Sequence, residues 1–451
     1  MIMIRSKEYI QKAVAKTLTL SIISLLIINY GNYCHAQSWT LDKCIDTALQ
    51  NNLSLQSSRI QSQVADVNLK SSKLNLLPSL NAGASHGYNW GQTIDLFTNQ
   101  FATDRVLFEN FYLSSSVSLF SGLRNYYTIK ANQTAVSTNE LDIEITQRNI
   151  KIDVSAAFLQ VLINQKMVEL YKENQALTQK QLERITILIQ ENQATIAQQL
   201  EIDAQLQTDK YNLIKAKNDL RYSELLLQQL MNIPPKDSIT LILLTDDINS
   251  QNIQEFEIDK LPEIAKQELE IQQQTYELKA IKGSYYPSLD LSGSLGSGYS
   301  GNDKFIDANN NVFITPFREQ IQNNLYQSLI LTLSIPIFNR YGIKSQVKLK
   351  ELSLADLNIK NQQEKQQIIQ KIAQIRLEIN SLSSQLDALS KVEVSTQKNL
   401  DNFRLRYENR EVDYTQFLEA QNKNFKAKSD LIQAQFELQF KRKILSFYFS
   451  D

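Results

Sequence analysis

Few residues in this chain have the chemistry for catalysis, and they do not converge. Among 451 residues there are 2 histidines and 2 cysteines, whereas a metal centre or an activated nucleophile needs several such side chains at fixed spacing. Cys34 and His35 lie just before Ala36, the expected end of a cleaved leader, so Cys44 and His86 remain as one lone thiol and one lone imidazole. Acylation of Cys34 is disfavoured because Tyr33 is too bulky for the position before a lipidated cysteine. No phosphate-binding glycine loop, zinc signature or nucleophile elbow occurs. The expectation is therefore a protein without enzymatic activity, cofactor or resident metal. Lysine and arginine (47) nearly equal aspartate and glutamate (48), which argues against a nucleic-acid partner held by a basic surface.

Function must then come from shape, and two long segments set it. Neither Leu123 to Ile233 nor Ile343 to Asp451 contains a glycine or proline. In the second, Ile368, Ile372, Ile375, Ile379, Leu382, Leu386 and Leu389 step by fours and threes, a coiled-coil seam interrupted at Glu393 and Thr396 before Leu400, Phe403 and Tyr407 resume it. A helix from Arg340 to Tyr407 would be roughly 100 Å long, far more than a compact core requires. The first segment repeats the seam through Ile202, Leu206, Leu213, Ala216, Leu220, Leu227 and Leu230, with Asp209 and Ser223 as polar interruptions. The apolar pattern lapses near residues 191–197, where a reversal would make an antiparallel helical hairpin; a second tip is placed near 408–413.

Residues 1–36 read as a secretory signal, with Arg5, Lys7, Lys12 and Lys16 ahead of an apolar run from Leu18 to Ile28. Beyond them no apolar run reaches the length of a spanning helix, so membrane entry would have to use strands. Four candidates alternate with period two. Leu80, Ala82, Ala84, His86, Tyr88 and Trp90 face away from Asn81, Gly83, Ser85 and Gly87; Phe111, Leu113, Val117 and Leu119 alternate with Tyr112, Ser114, Ser116 and Ser118. Leu289, Leu291, Leu295 and Tyr299 form a third strand, and Leu325, Leu329, Leu331 and Leu333 set against Tyr326, Ser328, Thr332 and Ser334 form a fourth. Pro78-Ser79-Leu80 recurs 209 positions later as Pro287-Ser288-Leu289, Phe120 recurs as Phe338 at 218, and Ala204-Gln205 recurs as Ala420-Gln421 at 216.

The chain thus reads as two repeats. The first covers 37–233 with a β-hairpin over 80–121; the second covers 261–451 with a hairpin over 288–338 and an insertion in its loop. Residues 234–260 form a linker whose apolar centre, Ile239 to Leu244, fits either a short strand or a packed connection.

Four strands cannot close a barrel, and an open sheet in lipid leaves backbone groups unpaired. The expected fold is a mainly helical, mixed α/β membrane protein in which three copies contribute twelve strands to one barrel, wide enough for a lumen, continued by a coiled-coil tunnel. Aromatic girdles are expected at Tyr88, Trp90, Phe111, Tyr112, Tyr299 and Tyr326 on the loop side and at Phe120, Tyr285, Tyr286 and Phe338 on the helix side. A soluble sandwich with aromatic edges, or a structural or adhesive coiled-coil protein of the envelope, is the alternative; the latter leaves the strands without a role.

These residues resemble the TolC-like outer-membrane factors of Gram-negative efflux and type I secretion systems. The resemblance is carried by Trp39-Thr40-Leu41-Asp42-Lys43-Cys44-Ile45-Asp46-Thr47-Ala48-Leu49 with Asn51-Asn52, by Leu77-Pro78-Ser79-Leu80 and Tyr286-Pro287-Ser288-Leu289, and by Leu119-Phe120-Ser121-Gly122 and Ile335-Pro336-Ile337-Phe338. Leu230-Met231-Asn232-Ile233-Pro234 and Arg406-Tyr407-Glu408, followed by Tyr414 and Phe417-Leu418-Glu419-Ala420-Gln421, complete it. It implies a homotrimer in outer-membrane lipid, a periplasmic tunnel, tips engaged by a periplasmic adaptor, and an inner-membrane pump of RND or ABC type. The family's tip glycines correspond to Ala194 and Arg410, so Asn192 or Asn409 would take the left-handed conformation, and with Asp413 these residues are the candidates for adaptor docking. The family's paired aperture acids correspond to Gln416 and Glu419, with Asp203 as the first-repeat counterpart of Glu419 at the 216 offset.

Overall fold

The structure is a computed structural model that describes residues 39–95, 97–99, 101–102, 105–235, 239, 241, 261–308 and 310–449. The leader, Cys34 and most of the 234–260 linker lie outside them. Of that linker, Ile239 and Leu241 are buried, and Leu241 forms a single parallel bridge with Trp39.

The first repeat consists of α1 (Leu41–Asn51), α2 (Leu53–Leu74), β1 (Ser79–Asn89), the short pair β2 (Thr93–Ile94) and β3 (Phe101–Ala102), β4 (Val106–Ser121), α3 (Arg124–Gln190) and α4 (Ile196–Leu230). The second consists of α5 (Pro262–Gly283), β5 (Ser288–Ser300), the ribbon β6 (Lys304–Ile306) and β7 (Val312–Ile314), α6 (Phe317–Asn323), β8 (Tyr326–Ser334), α7 (Gly342–Glu408) and α8 (Tyr414–Phe449). Repeat symmetry reaches the backbone. Helices α3 and α7 each have 67 residues, about 100 Å at 1.5 Å per residue. Gly122 and Leu123 at the start of α3 have φ of 62° and 65°, and Arg340 and Tyr341 at the start of α7 have 55° and 61°, a constant offset of 218.

The four main strands form one antiparallel sheet in the order β1-β4-β5-β8, leaving β1 and β8 as edges. Register sorts the side chains. Leu80, Ala82, Leu113, Val117, Leu289, Leu291, Leu295, Leu329, Leu331 and Leu333 share one face, while Ser79, Ser114, Ser116, Ser292, Ser294 and Ser328 share the other. Hydroxyls pair across that face, Ser79 with Ser116 at 3.0 Å and Ser294 with Ser328 at 2.7 Å. A bulge between Ser118 and Phe120 shifts the pairing so that Phe120 meets Leu289 and joins the apolar face. Gly83 and Gly296 lie opposite Tyr112 and Tyr326, whose rings would be 2.5 Å and 2.4 Å from an added Cβ; glycine there makes room for a cross-strand aromatic.

Two compact units can be distinguished. One comprises the described residues of Met1–Asn52, Ile150–Gln251 and Asn380–Ile444, the other those of Leu53–Asn149, Asn252–Ile379 and Leu445–Asp451. The second holds the sheet and a buried ion pair, Arg148 with Glu263, whose guanidinium also lies 4.7 Å from the ring of Tyr448. The first holds the helical turns. Among the described residues no helix is long and apolar enough to cross a membrane.

Candidate functional site: the paired helical turns

Each long helical hairpin reverses in a short turn, and the two turns match bond for bond. Gln193 N donates to Leu188 O (2.7 Å) and Asn192 N to Ile189 O (2.9 Å); 218 positions later Glu411 N donates to Arg406 O (2.8 Å) and Arg410 N to Tyr407 O (3.1 Å). This is a Schellman termination, which needs one left-handed residue after the helix. Asn192 fills that role with φ of 60° and Arg410 with φ of 63°. In the second turn it is thus Arg410 itself, not Asn409, that turns left-handed, because the bond pattern fixes the position and Asn409 is one residue too early. Ala194 is half-buried against the core of the turns.

The following helices are capped in two ways. Thr195 Oγ1 accepts from Gln198 N (3.4 Å) while Gln198 Oε1 accepts from Thr195 N (3.0 Å), a capping box. In the other turn Asp413 Oδ1 accepts from Gln416 N at 2.9 Å. Arg410 donates to Gln193 Oε1, linking the two turns, and Arg184 Nη2 donates to Glu408 O at 2.6 Å with its guanidinium 5.7 Å from the ring of Tyr407.

Beneath the turns Ile185, Ile202, Leu400, Tyr414, Phe417 and Ala420 form a closed apolar cluster drawn from all four helices. Tyr407 stacks on Phe417 with centroids 5.4 Å apart and planes at 16°. The cluster adjoins a polar node. Asp209 is buried, and Asn174 Nδ2 (3.2 Å), Gln205 Nε2 (2.9 Å) and Thr178 Oγ1 (2.6 Å) donate to its carboxylate. Gln421 Nε2 extends the network by donating to Asn174 Oδ1 at 2.8 Å. The Tyr414 hydroxyl is buried without a hydrogen-bond partner. Burial pushes its ionisation well above the ordinary phenol range, and the charge of Asp209 pushes it further; burial raises Tyr407 as well.

The sequence did not single out Asn174 or Thr178, and it marked Gln421 only as part of a repeat match and a motif, not as part of a polar node. The available signal was the interruption of the α4 seam at Asp209 and Ser223: Asp209 centres this node, and the Ser223 hydroxyl accepts from Asn164 Nδ2 at 3.0 Å.

The aperture candidates are on the surface. Glu419 and Gln416 are exposed, and Glu419 lies 3.9 Å from Lys423 one turn on. Asp203 is half-buried and accepts from Gln207 Nε2 at 3.1 Å. Cap and turn geometry align the second half at 218 rather than 216, so Glu201, not Asp203, is the counterpart of Glu419, and Asp203 matches Gln421. The aromatic candidates divide by register. Tyr88, Phe111, Tyr299 and Phe120 belong to the apolar face, whereas Tyr112 and Tyr326 lie on the serine face over glycines. Trp90, Tyr285, Tyr286 and Phe338, outside the strands, are exposed. His86 Nδ1 is 2.8 Å from Glu109 Oε1 across β1 and β4. Among the described residues no group of three or more His, Cys, Asp or Glu converges as a metal site would.

Comparison with known proteins agrees with this geometry. The family model "Outer membrane efflux protein" matches twice, over residues 44–232 and 258–446, one match per repeat. The chain is 21% identical to the outer membrane protein TolC of Escherichia coli K12 over 434 residues, covering 92% of this chain and 82% of that one. It is also 21% identical to the cation efflux system protein CusC of Escherichia coli O157:H7 over 406 residues, covering 86% and 81%. In fold it is similar to the crystal structure of CusC, with a TM-score of 0.78 at 16% identity over 90% of each chain. It is similar also to the outer membrane channel CmeC of Campylobacter jejuni, with a TM-score of 0.76 at 17% identity over 91% of this chain and 85% of that one. With both repeats matched and this fold, the chain belongs to the outer membrane efflux protein family, whose members lie in the outer membrane of Gram-negative bacteria.

Proposed function

We propose that three copies close a twelve-stranded barrel in the outer membrane and that their helices continue it as a passive exit duct, with no enzymatic step. The observation that carries this reading is the four-stranded sheet with one leucine-rich face, one serine and glycine face, and two open edges. In lipid such edges must be paired, and a ring of copies pairs them while directing leucines to lipid and hydroxyls to a lumen. A second observation supports it: Ile196, Leu200, Tyr211, Ile214, Tyr222 and Leu225 along α4 are exposed within one chain, an apolar stripe suited to a neighbouring helix. The paired turns, with Asn192, Ala194, Asn409, Arg410 and Asp413, are the docking surface for a periplasmic adaptor, and an inner-membrane pump of RND or ABC type supplies the energy. Glu419 and Gln416, exposed near the turn of α8, would line the closed aperture, with Glu201 the first-repeat residue to test beside them.

Reconstitution of the mature protein in a planar bilayer tests the duct. Small, cation-selective conductance is expected from the closed form. Arg410→Ala, which removes the link to Gln193, should raise the open fraction several-fold, and Glu419→Ala should reduce cation selectivity. Absence of conductance from wild type and both variants would refute the duct.

A further inference from the structure

The connection between β5 and β8 carries more chain than that between β1 and β4: the repeat offset grows from 209 at Pro78/Pro287 to 218 at Phe120/Phe338. It contains the ribbon β6–β7, in which Phe305, Ile306, Val312, Phe313 and Ile314 are each 45–65% exposed. Phe305 and Phe313 pair across the ribbon with ring centroids 5.8 Å apart. A two-stranded ribbon with apolar groups on both faces is unfavourable in water unless something covers it.

The ribbon is held at its base. Gln320, fully buried, accepts from Ser300 N (2.8 Å) and donates to Ser300 O (3.0 Å) and Thr315 O (2.8 Å), and Thr315 N donates to Asp303 O (2.8 Å). The Ser300 hydroxyl donates to buried Asp95 of the other connection. The two connections are thus fixed to each other through this node, so the ribbon is positioned in advance to meet a partner. On the β1–β4 side, Trp90, Ile94 and Phe101 are 52–74% exposed.

We infer that the β6–β7 ribbon of one copy seats on Trp90, Ile94 and Phe101 of the next, a clasp between copies at the loop end of the sheet. This rests on the ring proposed above. The sheet order β1-β4-β5-β8 means that a ring sets β8 of one copy beside β1 of its neighbour. The connection ending at β8 then comes next to the connection that begins at β1. One copy offers the ribbon and the other the exposed apolar residues, and two unlike surfaces meeting head to tail are what a closed ring requires.

The test is cross-linking of the full mature chain in membranes. In a Cys44→Ala background, Phe313→Cys combined with Phe101→Cys and treated with a short bismaleimide should give covalent dimers and trimers, with little product from either single variant. A trimer on native gels without cross-links overturns the clasp while leaving the ring intact. In that case, rapid reaction of the introduced thiol at 313 with a membrane-impermeant maleimide would show the ribbon standing free, and protection from it would show a lipid or foreign-protein cover. A monomer on native gels overturns clasp and ring together. As a second readout, Ile306→Asn with Phe313→Asn should lower the temperature at which the trimer dissociates while leaving helical content unchanged; an unshifted temperature also overturns the clasp.

Discussion

The turn joining α3 to α4 and the turn joining α7 to α8 share a backbone, yet the helices that follow them are packed differently. At the start of α8, Tyr414 and Phe417 are buried. The corresponding residues of α4, at an offset of 218, are Ile196, which is exposed, and Gln199, whose Nε2 donates to Thr186 Oγ1 at 3.1 Å. Termination and capping depend on a few local φ values and side-chain oxygens, so a duplicated turn keeps them with little constraint on the rest. Packing admits no such duplication, because four helices enclose one core. The second repeat supplies its aromatic part, and the apolar residues of the first repeat, Ile196 and Leu200, stay exposed.

Substitution at paired positions can break that contrast. Phe417→Ala removes a fully buried ring stacked on Tyr407 and should cost about 3–5 kcal/mol, whereas Gln199→Ala should stay within about 0.5 kcal/mol. Trypsin cleavage near the turns and the first thermal transition of the helical signal would read this; equal effects would mean that the two helices share the core evenly. The caps should behave alike. Asp413→Ala and Thr195→Ala each remove the acceptor for an N-terminal amide and should each cost about 0.5–2 kcal/mol, measured as faster amide exchange in the first turn of α8 and of α4.

Much of this architecture is legible in the sequence because periodicity reports burial directly. The seams through Ile372, Ile375, Ile379 and Leu382 and through Ile202, Leu206 and Leu213 are buried as their spacing predicts, and the alternation in β1, β4, β5 and β8 appears as two faces. The errors arise where a local feature resets register. The bulge at Ser118/Phe120 carries Phe120 to the face occupied by Val117, which strict alternation from Val117 through Leu119 does not foresee. Pairing Ala204-Gln205 with Ala420-Gln421 matches two residue types by chance, whereas the caps at Thr195 and Asp413 fix 218 and change the partner of Glu419 from Asp203 to Glu201. The polar node was marked only by Asp209 as a break in a seam. Of the groups around Asp209, only Gln205, one helical turn before it, is related to it by the helical period. Asn174 and Thr178 on α3, and Gln421 on α8, which donates to Asn174, have sequence positions that no period relates to Asp209.

The smallest expected effect tests how the aromatic core meets that node. Tyr414→Phe deletes a buried hydroxyl that has no hydrogen-bond partner, so at neutral pH the change should be within about 1 kcal/mol and can be stabilising, since an unsatisfied buried polar group is itself a cost. The alkaline limb separates the wild type from the variant. Folding holds the Tyr414 phenol in its protonated form, raising its ionisation above the free value of 10.0, so stability is intact below that pH and falls as pH rises past it, where the unfolded chain ionises and the folded one resists. Tyr407 is raised in the same direction by burial. Thermal midpoints followed from about pH 8 to 11 should therefore decline less steeply in Tyr414→Phe than in wild type, with Tyr407 accounting for part of the remaining decline. A neutral-pH loss greater than that of Asp413→Ala would mean instead that the hydroxyl contributes a bond to the Asp209 node, tying the aromatic half of the core to the polar half.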